Sequence, residues 1–242
     1  MLTTGLQTAL RVIYPPRCLA CGGLVEQDNG LCAACFAETP FITGLTCTSC
    51  GVPLPGTSDI DEHCDDCISL ARPWQHGYAP LRYEGVARKL VLALKHGDRH
   101  DIVTMAAAWM VGALPRSMDA DTLVVPVPLH ITRLLRRRYN QSALLAQVIA
   151  RRLCLEYAPT ALTRPCRTPS LDGASREARF QALSDAIRPH PREGHRLAGR
   201  PVLLVDDVMT SGATLGACAL ACHTAQARDI CVTVLARVAK AA

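Results

Sequence analysis

The chain has 242 residues, 49% hydrophobic and 19% charged, with a formal net charge of +5. That length holds one large domain or two small ones, and the composition supports a buried core and excludes a disordered polyelectrolyte. The longest uncharged apolar stretch, residues 103–114, falls short of the roughly 18 residues a transmembrane helix needs. The start lacks the basic region of a secretory signal. The expectation is a soluble, cytoplasmic protein without membrane insertion, and its mild positive charge suits an anionic small molecule as well as nucleic acid.

Leu2, Leu6, Leu10 and Ile13 fall at helical spacing, which predicts a short amphipathic helix at the start. Cysteines dominate the segment after it. The chain carries 13, and eight of them lie before residue 68 in four CxxC pairs: Cys18/Cys21, Cys32/Cys35, Cys47/Cys50 and Cys64/Cys67. A chain without export signals that is this rich in cysteine points to metal rather than disulfides. Each CxxC sets two thiolates on one tight turn, and two such knuckles supply the four sulfurs of a structural Zn²⁺ site. The gaps between successive pairs are 10, 11 and 13 residues, which suit short hairpins. Two ions are expected. Sequential pairing would place Cys18, Cys21, Cys32 and Cys35 on one and Cys47, Cys50, Cys64 and Cys67 on the other; an interleaved cross-brace is the alternative. His63, beside Cys64, is an alternative ligand. Cys218 and Cys222, one helical turn apart, read as helix-face packing.

The composition changes near residue 70, which divides the chain into a cysteine module over 1–70 and an α/β domain over 75–242, with 71–74 as the linker. In the second part, strands and amphipathic helices alternate, implying a mostly parallel sheet. The pattern predicts a strand over 77–83 and a helix over 85–95, whose Val86, Leu90, Val91 and Leu94 share a face. Asp101 is the expected N-cap of a second helix, with Pro115 beyond its end. A buried strand over 123–127 runs into a loop, and a long helix covers 140–155. Residues 164–199 read as a loop or lid. An apolar strand over 201–205 ends at Asp206-Asp207, a helix covers 213–227, and 230–235 form the last strand.

The segment Val202-Leu-Leu-Val-Asp-Asp-Val-Met-Thr-Ser-Gly-Ala-Thr214 carries the most chemistry. Two carboxylates stand at a strand's C-terminal end, where ligands bind in open α/β sheets. Thr210, Ser211, Gly212, Ala213 and Thr214 then open a helix with three hydroxyls and free backbone N–H groups, a cradle for phosphate. Carboxylates beside such a cradle suit the hydroxyls of a sugar phosphate.

This segment resembles the signature of the phosphoribosyltransferases, which use phosphoribosyl pyrophosphate (PRPP). The resemblance implies a type I phosphoribosyltransferase-like parallel sheet. Asp206 and Asp207 would be the catalytic pair, meeting the ribose hydroxyls directly or through Mg²⁺, and residues 210–214 would hold the 5′-phosphate. Purine-salvage members often carry an acidic residue where Thr210 stands, so a built-in base near the acceptor is missing. Over nearly its full length the chain is similar to the ComF family of competence-associated proteins. The likeness runs through the double zinc ribbon, Tyr83-Glu-Gly-Val-Ala-Arg-Lys-Leu90, Leu94-Lys-His-Gly97, Val125-Pro-Val-Pro-Leu129, Arg136-Arg-Arg-Tyr-Asn-Gln141 and the Asp-Asp motif. The family usually has Gly where Arg138 stands, Gln at Leu171, Glu-Arg at Ala178-Arg179 and Asn at Gln181.

In that fold the loop of Pro126, Val127 and Pro128 lies opposite the cradle, where pyrophosphate binds. Arg133, Arg136, Arg137 and Arg138 would supply countercharge, Arg136 and Arg137 foremost, with Lys95 and His96 behind them. Three functions stay open on the sequence: phosphoribosyl transfer, PRPP or nucleotide binding without turnover, and single-stranded DNA binding or docking to DNA-uptake proteins. A single-strand binder needs aromatic platforms among its cations, and only Tyr139 sits within the arginine cluster.

Overall fold

The structure is a computed structural model and describes residues 14–58, 60–166 and 186–239. The expected N-terminal helix and the positions of Leu171, Ala178, Arg179 and Gln181 lie outside the described residues. The helices are α1 (Ala33–Ala37), α2 (Asp65–Ser69), α3 (Gly85–His96), α4 (Ile102–Gly112), α5 (Ile131–Arg137), α6 (Gln141–Leu153) and α7 (Ala213–Thr224). The strands are β1 (His76–Tyr78), β2 (Leu81–Arg82), β3 (Leu123–Pro126), β4 (Glu156–Tyr157), β5 (Leu162–Thr163), β6 (Arg188–Pro189), β7 (Val202–Met209) and β8 (Ile230–Arg237).

β1, β8, β7, β3 and β4 lie side by side in that order, with β2 also on β8, and every pairing in this sheet is parallel. Alternate residues of β7 point to opposite faces. Val202 and Leu204 join a core shared with α7, while Leu203 and Val205 join a core with α3, α4 and α6. Both faces are covered, as a parallel sheet requires.

Most elements sit where the pattern puts them, and the departures have local causes. The strand expected over 77–83 is interrupted at Ala79 and Pro80, yet Tyr78↔Thr233 and Leu81↔Ala236 keep one register on β8. The Pro80 carbonyl turns away to accept the N–H of Ile42 at 2.8 Å. Asp101 stands at the N-cap of α4 as expected, but its side chain makes no capping bond; its carboxylate is held by Arg99 at 2.8 Å. β7 does not stop at Asp206. It continues to Met209 because β8 still pairs with it there, whereas β3 leaves it at Pro126↔Val205. Beyond residue 205 the strand therefore has a neighbour on one side only. Within 164–199, expected as a loop, β6 pairs antiparallel with β5 and a 3-10 turn covers Gly194–Leu197.

The cysteine segment is packed onto the sheet. Cys47, Cys50 and Cys67 belong to the same core as Leu204 and Val232. Trp74, in the segment read as a linker, is 4% exposed and donates its Nε1–H to the Ser49 carbonyl at 2.6 Å. At Gly77 a Cβ would stand 2.5 Å from the Ser49 carbonyl oxygen, so only glycine permits this approach of strand and knuckle.

Candidate functional site

The eight paired cysteines gather sequentially: Cys18, Cys21, Cys32 and Cys35 form one group, Cys47, Cys50, Cys64 and Cys67 the other, and all are free thiols. Cys21 and Cys32 Sγ are 3.8 Å apart, and Cys50 and Cys64 Sγ 3.7 Å. A tetrahedron with Zn–S near 2.3 Å has edges of about 3.8 Å. The donor sets therefore fit two structural Zn²⁺ ions, and the interleaved alternative is excluded. His63 lies outside the tetrad; its Nδ1 is 3.1 Å from Ser49 Oγ. Hydrogen bonds from Cys47 and Cys67, with the nearby Arg237 guanidinium, hold the Cys50 thiol far below its usual range.

The acidic pair sits where β7 loses β3. Asp206 Oδ1 accepts from Ser142 Oγ at 2.7 Å and from the Asp207 N–H at 2.9 Å. Ser142 stands in the first turn of α6, behind Asn140. Asn140 accepts the Ser142 N–H at 3.1 Å and donates to the Val127 carbonyl at 2.9 Å, which ties the 126–129 loop to the same helix start. Burial, then repulsion from Asp207, raises the Asp206 pKa from 3.8 to about 7. Asp207 is 3% exposed and pairs through Oδ1 with Lys95 Nζ at 2.9 Å. Among the described residues its buried Oδ2 has no hydrogen-bond partner. Neighbouring carboxylates with an unpartnered buried oxygen are hard-donor chemistry that fits Mg²⁺.

After Met209 the chain turns through Thr210 and Ser211 to Gly212, whose φ of +82° makes the corner before α7. The N-cap Gly212 has no side chain to cap the helix, and the Ala213 N–H meets Ser211 Oγ at 3.4 Å, which leaves the next N–H groups of the first turn to an anion.

The cations converge on a separate cleft of about 420 Å³ lined by Lys95, His96, Asp98, Arg133, Arg136, Arg137 and Arg138. Sequence reasoning ranked Lys95 and His96 behind the arginines, but Lys95 links this cleft to the acidic pair through Asp207. Tyr139 Oη donates to the Leu94 carbonyl at 2.6 Å, and its ring stands edge-on to His100 at 4.3 Å. These contacts tie the connection between α5 and α6 to the end of α3 and the turn after it. Arg138 has φ +65°, the left-handed conformation that glycine adopts freely. Ser142, Arg72 and Arg237 were not singled out by sequence. Only the position of Ser142 behind the N-capping Asn140 carried a signal.

A doubly covered parallel sheet bearing an acidic pair and a hydroxyl-rich turn on its central strand, with a double thiolate module against it, defines the class. Residues 9–68 match the double zinc ribbon domain model. The chain is 29% identical to competence protein F of Haemophilus influenzae, over 82% of this chain and 87% of that one. It is 28% identical to DNA utilization protein YhgH of Escherichia coli, over 77% and 81%. It is 24% identical to competence protein ComFC of Bacillus subtilis, over 79% and 77%. The ribbon match and these relatives agree with the likeness to the ComF family read from the sequence. Among solved structures, adenine phosphoribosyltransferase from Thermoanaerobacter pseudethanolicus superposes with a TM-score of 0.37 at 16% identity, over 62% of this chain and 86% of that one. A hypoxanthine phosphoribosyltransferase from Staphylococcus aureus gives 0.34 at 14%, over 60% and 69%. Superposition at that level adds nothing to the parallel sheet described above. Among the described residues no helix is long and apolar enough to cross a membrane.

Proposed function

We propose that the chain binds PRPP with Mg²⁺ at the end of β7 and serves DNA utilisation, as the names of its relatives indicate for them. The supporting observation is the Lys95–Asp207 ion pair at 2.9 Å, which connects the acidic pair and its hydroxyl-rich turn to the cation-lined cleft. In this reading residues 210–214 and the start of α7 hold the 5′-phosphate. Asp206 and Asp207 meet the ribose hydroxyls and would hold Mg²⁺, which supplies countercharge to the pyrophosphate. Pro126, Val127 and Pro128 with Arg136 and Arg137 take the pyrophosphate. Ser142 orients Asp206, and Lys95 pairs with Asp207. Transfer, where it occurs, releases pyrophosphate as a nucleophile takes the ribosyl carbon.

Single-stranded DNA binding has less support. Tyr139, the aromatic within the arginine cluster, is half-buried, with its hydroxyl on Leu94 and its ring against His100, so it is less open as a stacking platform. The test is calorimetry with PRPP–Mg²⁺ on the parent and on Asp206→Asn/Asp207→Asn. The double variant should keep its fold and its zinc and lose detectable binding. Binding equal to the parent's would remove the acidic pair from the site.

A further inference from the structure

Two arginines outside the ligand site grip both the second cysteine tetrad and the phosphate loop. Arg237 closes β8 and is 3% exposed. Its Nη1 donates to the carbonyls of Met209 at 3.1 Å, Thr210 at 2.8 Å and Val238 at 2.5 Å, and its Nη2 reaches Cys50 Sγ at 3.6 Å. Arg72 comes from the segment between knuckle and sheet. Its Nη1 donates to the Ser211 carbonyl at 2.7 Å and its Nε to Cys67 Sγ at 3.4 Å. The same guanidinium lies 5.5 Å from the Trp74 ring centre and packs on Gly212, where a Cβ would stand 2.9 Å from Nη1.

Neither guanidinium has a carboxylate within ion-pair distance among the described residues. A buried cation without an anion is costly. Four thiolates around one Zn²⁺ would leave two negative charges, which Arg72 beside Cys67 and Arg237 beside Cys50 would offset. The donor set of the tetrad fits that ion, as its sulfur spacing shows. The loop ends of the same arginines have a geometric consequence. In a trans peptide the C=O and the following N–H point in opposite directions. Pinning the Thr210 and Ser211 carbonyls toward the ribbon therefore turns the N–H groups of Ser211 and Gly212 away from it.

We propose that Arg72 and Arg237 are positioning residues that set the amides of the 210–214 loop by anchoring its carbonyls to the second metal centre, so that the integrity of the Cys47/Cys50/Cys64/Cys67 site governs anion binding at this loop. The ligand part of this statement rests on the PRPP reading above; the mechanical part does not. A metal centre at the far side of the loop then acts on the ligand site without touching the ligand.

The test uses the full chain with its zinc, and reads hydrogen exchange of the 211–216 amides without ligand, zinc content, and PRPP–Mg²⁺ affinity. Arg72→Ala should keep about two Zn²⁺ per chain. Its 211–216 amides should exchange about tenfold faster while those of residues 202–205 stay protected, and PRPP affinity should fall about tenfold or more. Arg72→Lys keeps the charge but reaches only one of the two partners, so it should fall between. Cys64→Ser removes a ligand that neither arginine touches and should loosen the same amides. If it does not fold, the Arg72 pair decides alone. Unchanged loop exchange in Arg72→Ala, or in a folded Cys64→Ser that has lost one ion, overturns the coupling whatever PRPP does. Faster loop exchange in a protein that never binds PRPP keeps the coupling and removes the PRPP reading.

Discussion

Replacing Arg138 by glycine should stabilise the protein while removing a cation from its cleft. Arg138 follows α5 with φ +65°, and its N–H closes the helix on the Leu134 carbonyl at 2.7 Å. The left-handed conformation costs a residue with a Cβ roughly 1–2 kcal/mol. Glycine removes that strain but loosens the unfolded chain, which returns roughly 0.4–1 kcal/mol. The side chain is exposed, so little packing is lost. The net expectation is a gain of about 0.5–1 kcal/mol, or a Tm rise of roughly 1–4 °C for a chain of this size. Arg138→Ala is the control, since it removes the same charge and keeps the strained backbone. Thermal unfolding of zinc-loaded protein should show the gain in the glycine variant alone, and PRPP–Mg²⁺ titration should show the same small loss of affinity in both. Equal stability of the two variants would refute the strain account.

The two tetrads should differ in what they support. Cys50→Ser should lower zinc from about two to about one per chain and destabilise more than Cys21→Ser, because Cys50 is fully buried in the sheet core and Cys21 is exposed. Elemental analysis with thermal unfolding checks this, and equal losses would place both sites outside the core. The Asp206 carboxyl supplies a pH dependence. In the fold it holds its proton up to about 7, against 3.8 ordinarily. Between those values the folded state binds more protons than the unfolded one, so its contribution to stability falls as pH rises through that window. Asp207 and Lys95 act on it electrostatically and Ser142 through a hydrogen bond. Unfolding measured between about pH 5 and pH 7 should show a stability decline in the parent that Asp206→Asn flattens. An identical slope in both would place the titration elsewhere.

The eight thiolate ligands are legible in the CxxC spacing, while the choice of sequential over interleaved pairing needs the fold; the parallel sheet follows from the alternation of strands and helices. The end of β7 was not legible. Val202 to Val205 look like a complete buried strand, and the continuation to Met209 depends on β8, which is distant in sequence. β5 and β6 are two residues each, too short to carry periodicity. Arg138 was visible as an arginine in a glycine's place, and its positive φ gives that substitution a physical meaning. Arg72 and Arg237 were invisible because an arginine beside Pro73 or at a strand's end reads as surface. The burial of Arg237 and the half-burial of Arg72 come from the cysteine module folding back on the sheet, which local patterns do not encode.

Paired titrations of PRPP–Mg²⁺ and a single-stranded DNA oligomer into the zinc-loaded parent and Arg136→Gln/Arg137→Gln, at two salt concentrations, test the central claim most directly. The account expects the parent to bind PRPP–Mg²⁺ and the variant to bind it at least about tenfold more weakly, about 1.4 kcal/mol, with little change toward DNA. A variant that binds PRPP–Mg²⁺ like the parent but loses DNA affinity, with a shallower salt dependence, would contradict it.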